Sequence, residues 1–132
     1  MVITYKNKIT VEQFNTLRNS VGWKTIQPDL AQKGLGNTAY IVVAVIDEKP
    51  IGMARVITDY GYTVIIADVV VLPEYQAKGI GKAMMTKIME YINDNIAIGQ
   101  GKFINLMSAQ GKEGFYNKFG FEQRPNESSV AE

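Results

Sequence analysis

The segment Gln76-Ala77-Lys78-Gly79-Ile80-Gly81-Lys82-Ala83 carries residue types that can cradle an anion. Gly79 and Gly81 remove Cβ atoms, so a ligand can touch the main chain. An apolar, β-branched run precedes the segment and an amphipathic run follows it. The spacing therefore predicts a strand, a tight loop and a helix start. A helix start leaves N–H groups unpaired at the positive end of its dipole, which suits a phosphate group. Lys78 and Lys82 add charge. A nucleotide P-loop needs Gly at position 76 and Ser or Thr at position 83, where Gln76 and Ala83 stand. A dinucleotide fingerprint needs a small residue at Met84 and a nearby N-terminal βαβ unit. Both fail. The plain alternative is a strand-to-helix turn with glycines for geometry. A second candidate is Asp68, a lone carboxylate in an apolar run. Burying it is costly unless it is paired, and burial can raise its pKa into a base's working range. It is read either as a general base or as a hydrogen-bonded structural residue. Simple alternation puts it on one strand face with Ile66 and Val70.

What is missing narrows the chemistry. The 132 residues include no Cys and no His. Disulfides, Cys/His metal sites, Ser-His-Asp triads and Cys nucleophiles are excluded, and no metal is expected. Hydrophobic residues make 46% and charged residues 20%, an ordinary globular balance. The net charge of +1 and the lack of a basic cluster point away from nucleic acid and anionic membranes. No apolar run approaches the roughly 20 residues of a membrane span, and MVITYKNKIT has no signal-peptide core. The expectation is a single cytoplasmic domain over residues 1–132.

The elements that must position these residues read as follows. Residues 2–6 form a short strand. Thr10 and Gln13 make a capping box before a helix over 11–20, with Val11, Phe14, Leu17 and Val21 on one face. Pro28 suits the first turn of a short helix through Leu35. Residues 39–47, 51–58 and 63–72 form an antiparallel meander, turning at 47–50 and 59–62. The last strand is apolar on both faces and reads as central and covered on both sides. A helix runs from about Gly79 to Ile96. A strand follows over 102–107, then a short helix over 112–119 that ends at Gly120 in a left-handed cap. Phe121 begins a last extended piece, and the tail 127–132 reads as frayed. The fold class is α+β, a three-layer arrangement with a mixed, mostly antiparallel sheet and helices on both faces.

With these elements in place, the chain resembles the GCN5-related N-acetyltransferase family over roughly residues 2–124. The resemblance rests on Val69-Val70-Val71-Leu72-Pro73 followed by Gln76-x-x-Gly79-x-Gly81, and on Phe115-Tyr116-Asn117-Lys118-Phe119-Gly120-Phe121 downstream. It implies the acyl-CoA N-acyltransferase fold, in which the 63–72 and 102–107 strands splay apart and a pantetheine arm lies between them. It further implies that acetyl-CoA is the co-substrate. Its pyrophosphate would be bound by Gln76, Ala77, Lys78, Gly79, Ile80, Gly81 and Lys82. Its pantetheine and thioester would meet the main chain of Val69, Val70 and Val71. Tyr116 matches the tyrosine that often protonates the leaving thiolate; a buried aromatic is the plain alternative. Asp68 becomes a candidate base for the amine. With no Cys, acetyl transfer would be direct, in a ternary complex.

Two departures stand out. Many relatives carry Asn seven residues before the tyrosine and Ala four before it; here these positions are Ala109 and Lys112. The family also closes with a strand after Gly120-Phe121, which here would be absent, shortened or supplied by a partner, an edge that invites a homodimer. The acceptor, a small-molecule or peptide amine, would be bound by the 11–36 region and the 59–62 turn, where Asp59, Tyr60 and Tyr62 read either as lining the entrance or as a solvated hairpin tip. Two other functions compete: a non-enzymatic acyl-CoA sensor on the same fold, and a nucleotide or partner module unrelated to CoA.

Overall fold

The two-residue turn Asp47-Glu48 sets the register of the sheet. Both residues have positive φ, 46° and 67°, the conformation of a hairpin turn matched to strand twist. In the computed structural model, which describes residues 2–96, 103–107 and 112–122, this turn joins β2 (Tyr40–Ile46) to β3 (Lys49–Thr58). Strand β3 therefore begins earlier than the 51–58 expected. The remaining strands are β1 (Thr4–Lys6), β4 (Thr63–Val71) and β5 (Phe103–Leu106). Their order in the sheet is β1-β2-β3-β4-β5, antiparallel except for the parallel β4–β5 pair. The helices are α1 (Val11–Ser20), α2 (Pro28–Gly36), α3 (Ile80–Asn95) and α4 (Glu113–Asn117). The expected capping box is present: Gln13 N–H donates to Thr10 Oγ1 at 3.1 Å and Thr10 N–H to Gln13 Oε1 at 3.0 Å.

Val42–Val45 on β2 and Ile51, Met53 and Ala54 on β3 are buried in near-continuous runs. Strands alternate their side chains, so both faces of the sheet are covered there. Helix α1 packs on β3 and β4, and α3 packs on β2, β3 and β4. Side chains Ile80, Met84, Met85, Ile88 and Ile92 form the buried stripe of α3. Gly52 makes room for that helix: a Cβ there would meet the Met84 side chain at 3.2 Å and the Val70 carbonyl oxygen at 3.0 Å.

Strand β4 departs from expectation in two ways. First, it is not covered on both sides: Ile65 is 42% exposed, and Val69 and Val71 are only half-buried. Second, it carries a bulge. Ala67 pairs with Arg55 and Val70 with Met53, so Asp68 and Val69 together stand opposite Ala54. Ile66 pairs with Val56, three residues from Met53, so Ile66 and Val70 face opposite sides of the sheet. The single face expected for Ile66, Asp68 and Val70 is broken by the extra residue. Asp68 itself has φ of 52°, in the left-handed region where Asp is tolerated better than most residues.

Among the described residues, β4–β5 pairing runs from Thr63↔Phe103 to Ile66↔Leu106 and no further. The described pairing thus ends just before the bulge at Asp68. The helix expected over 112–119 is shorter: α4 ends at Asn117 with Lys118 as its cap, and turns carry the chain on to Gly120, whose φ of 89° is left-handed as expected. There the N–H groups of Gly120 and Phe121 donate to Asn117 O at 3.0 Å and Tyr116 O at 3.4 Å. No helix among the described residues is long and apolar enough to cross a membrane. The tail 127–132, the final strand and Ala109 lie outside the described residues.

Candidate active site

The loop between β4 and α3 is shaped by its backbone. A 3-10 turn over Pro73–Tyr75 leads to Gln76, and Ala77 and Gly79 then take positive φ of 62° and 83°. A Cβ on Gly79 would meet nothing within 4 Å, so its glycine is required for conformation rather than space. Gly79 caps α3 without any side-chain hydrogen bond. The first N–H groups of this 16-residue helix therefore have no side-chain cap, an arrangement that suits an anion. Gly81 serves differently: a Cβ there would meet the Phe115 ring at 3.3 Å.

A cleft of about 880 Å³ opens from this loop along β4 at Val69–Val71. Of the residues expected to hold a cofactor, Val69, Val70, Val71, Gln76, Ala77, Gly79, Gly81 and Lys82 line it. Ile80 and Lys78 do not; the Ile80 side chain is in the core at 2% exposure and Lys78 is exposed on the loop. Gln76 braces the loop. Its Nε2 donates to the Val71 carbonyl at 2.9 Å, and Lys112 Nζ donates to its Oε1 at 3.5 Å. Lys112 therefore supports the loop and also lines the cleft.

Tyr116 lines the cleft and is 7% exposed. Phe115 meets it edge-on at 5.0 Å and Phe121 at 6.4 Å between ring centroids. Burial pushes its hydroxyl pKa up to about 12. The group is therefore neutral, a proton and hydrogen-bond donor, throughout the physiological range.

Asp68 sits beside the cleft, and its carboxylate is fully engaged. Its Oδ1 accepts from Arg18 Nη1 at 2.6 Å and its Oδ2 from Arg55 Nε at 2.7 Å. All three side chains are 10–16% exposed. Two guanidinium groups therefore occupy both carboxylate oxygens. This geometry matches the hydrogen-bonded structural residue rather than a free base. The hairpin tip also takes its plainer form. Tyr60 and Tyr62 are about 60% and 59% exposed, Asp59 Oδ1 accepts from Gly61 and Thr63 N–H, and none of the three lines the cleft.

Further lining residues are Val21 and Trp23, which fall in the 11–36 region expected to hold the acceptor, and Phe115, Lys118 and Phe119, from the segment that carried the resemblance; sequence reasoning gave Tyr75 and Lys112 no place in the cleft. A signal existed for Trp23, the chain's single tryptophan; Lys112 carried none.

The mixed five-stranded sheet, the β4 bulge and the glycine loop that starts α3 match the acyl-CoA N-acyltransferase class of fold. The comparisons agree. The family model described as "Acetyltransferase (GNAT) domain" matches residues 37–123, and the chain belongs to that acetyltransferase family. It is similar over 129 residues, at 26% identity, to the uncharacterized N-acetyltransferase ycf52 of Pyropia yezoensis, covering 94% of this chain and 71% of that protein. It is 38% identical over 79 residues to GCN5-related N-acetyltransferase 2, chloroplastic, of Arabidopsis thaliana; the match spans 60% of this chain and 29% of that longer protein. A crystal structure from meticillin-resistant Staphylococcus aureus, described as a protein of unknown function and probable acetyltransferase, superposes with a TM-score of 0.88. Its identity is 30%, with 94% of this chain and 92% of that one covered.

Proposed function

We propose that this chain transfers an acetyl group from acetyl-CoA directly to a primary amine, with both held in one ternary complex. The observation that carries the reading is the single cleft that joins the Gly79–Lys82 helix start, the β4 stretch Val69–Val71 and buried Tyr116. The residues present fit acetyl-CoA. The first-turn N–H groups of α3 with Lys82, Lys112 and Lys118 suit its phosphates, and the apolar β4 wall suits the pantetheine arm. The reading includes a cytoplasmic setting and a small-molecule or peptide acceptor.

In this mechanism the amine nitrogen bonds to the thioester carbon as the C–S bond breaks, and the nitrogen then releases a second proton to water to leave the neutral amide. The amine first gives up its proton to water. For an alkyl ammonium of pKa ~10.4 this costs about 4–5 kcal/mol at pH 7. Asp68, held by two arginines, is assigned no share in that step. Main-chain N–H groups of Val69–Val71 stabilise the carbonyl oxygen as charge develops on it. Tyr116 donates to the sulfur. At a pKa of about 12 it is a weaker acid than an ordinary thiol near ~8.5. Its contribution is therefore a hydrogen bond that strengthens as thiolate charge grows, with the final proton supplied through it from solvent.

Calorimetric titration with acetyl-CoA, beside ATP and NAD as controls, tests the reading. Micromolar binding of acetyl-CoA, lost in Gly79→Glu, followed by thiol release with an amine panel, is the expected result. Binding without thiol release would instead make the chain an acyl-CoA sensor. No binding at millimolar acetyl-CoA by folded protein would sink the proposal.

A further inference from the structure

The Arg18–Asp68–Arg55 bridge uses two part-buried guanidinium groups on one carboxylate, and the proposed acetyl transfer leaves it without a direct chemical step. Its position is specific. Asp68 is the left-handed residue of the β4 bulge, and its neighbour Val69 lines the cleft. Arg55 comes from the facing strand and is fixed by Thr38 Oγ1 at 2.9 Å and Gly34 O at 3.4 Å. Arg18 comes from α1, donates to Lys24 O at 3.1 Å, and lies over the Trp23 ring at 5.3 Å. Trp23 is itself a cleft wall.

One carboxylate thus ties the strained main chain next to Val69 to α1, whose C-terminal turn leads into Trp23 through the Trp23 N–H to Arg18 O hydrogen bond at 3.0 Å. We infer that Arg18 and Asp68 are positioning residues for the thioester: their ion pair holds the bulge so that the β4 main chain meets the acetyl carbonyl, and it locks that geometry to the Trp23 wall. This inference rests on the proposed acetyl transfer. Simple anchoring of α1 to the sheet is the competing role. It would change the melting temperature and nothing at the carbonyl.

The test reads the carbonyl and needs no acceptor. Acetyl-CoA labelled with carbon-13 at the acetyl carbonyl is bound to wild type, Arg18→Met, Arg18→Lys and Asp68→Asn, and its carbonyl band is followed by difference infrared spectroscopy. The wild-type band should fall below that of free acetyl-CoA, as hydrogen bonding polarises the carbonyl. In Arg18→Met and Asp68→Asn most of that displacement should be lost, while affinity, set mainly by the loop at Gly79–Lys82, changes little. Arg18→Lys, which keeps a cation beside Asp68, should retain most of the displacement. If Asp68→Asn does not fold, the Arg18 pair decides. A band identical to wild type in folded Arg18→Met overturns the inference while leaving acetyl transfer standing. Failure of wild type to bind acetyl-CoA removes acetyl transfer itself, and the inference with it.

Discussion

Tyr116 and Asp68 illustrate how surroundings decide what a titratable side chain can do. An exposed tyrosine and a buried one differ little in shape, but burial of Tyr116 holds its proton to about pH 12. The expected consequence is that Tyr116→Phe lowers kcat by roughly 100-fold, at the low end for a lost proton donor, while the acetyl-CoA dissociation constant stays nearly unchanged. Steady-state kinetics beside calorimetry would separate the two. Wild-type activity should show no basic limb from Tyr116 below about pH 10, since ionisation lies above that range. The residue types were legible in the sequence. The two arginines that occupy Asp68 were not, because Arg18 and Arg55 lie 50 and 13 residues away along the chain.

At the scale of elements, the loop and α3 act together, and their glycines separate conformational from steric demands. Gly79→Ala adds a Cβ into open space, so its cost is the left-handed backbone alone, about 1–2 kcal/mol. Denaturant unfolding should report that loss, and calorimetry should report weaker acetyl-CoA binding as the loop relaxes. Met84 is fully buried where α3 crosses Gly52. Met84→Ala should therefore destabilise the fold by about 2–5 kcal/mol with the loop sequence intact. Element types followed from pattern: the capping box at Thr10 and the stripe of α3 stand where the sequence placed them, and Gly120 is left-handed although α4 ends three residues before it. The β4 bulge escaped because alternation counts residues, and one extra residue reverses every later side chain.

For the whole molecule, the alkaline limit of stability follows from three tyrosines. Burial raises Tyr5 and Tyr116, and the Tyr60 hydroxyl followed by burial raises Tyr91 to about 12. Above pH 10 the unfolded chain releases these protons and the folded chain keeps them, so stability is full below about pH 10 and falls as pH rises toward 12. Tyr116 alone accounts for up to about 2–3 kcal/mol over that interval. Chemical denaturation between pH 8 and 12 should show this decline, and Tyr116→Phe should make it shallower.

The sequence by itself determined which segments become strands and helices, the glycine loop that caps α3, and the family. Those depend on local periodicity, capping and turn chemistry, which are written in neighbouring residues. Only the tertiary structure decided which residues face one another across the cleft. Trp23 reaches it from the stretch after α1 and Lys112 and Lys118 from the two ends of α4, and Asp68 finds its partners on α1 and β3. Such pairings are fixed by how the sheet pairs and bulges, a geometry that no window of adjacent residues contains.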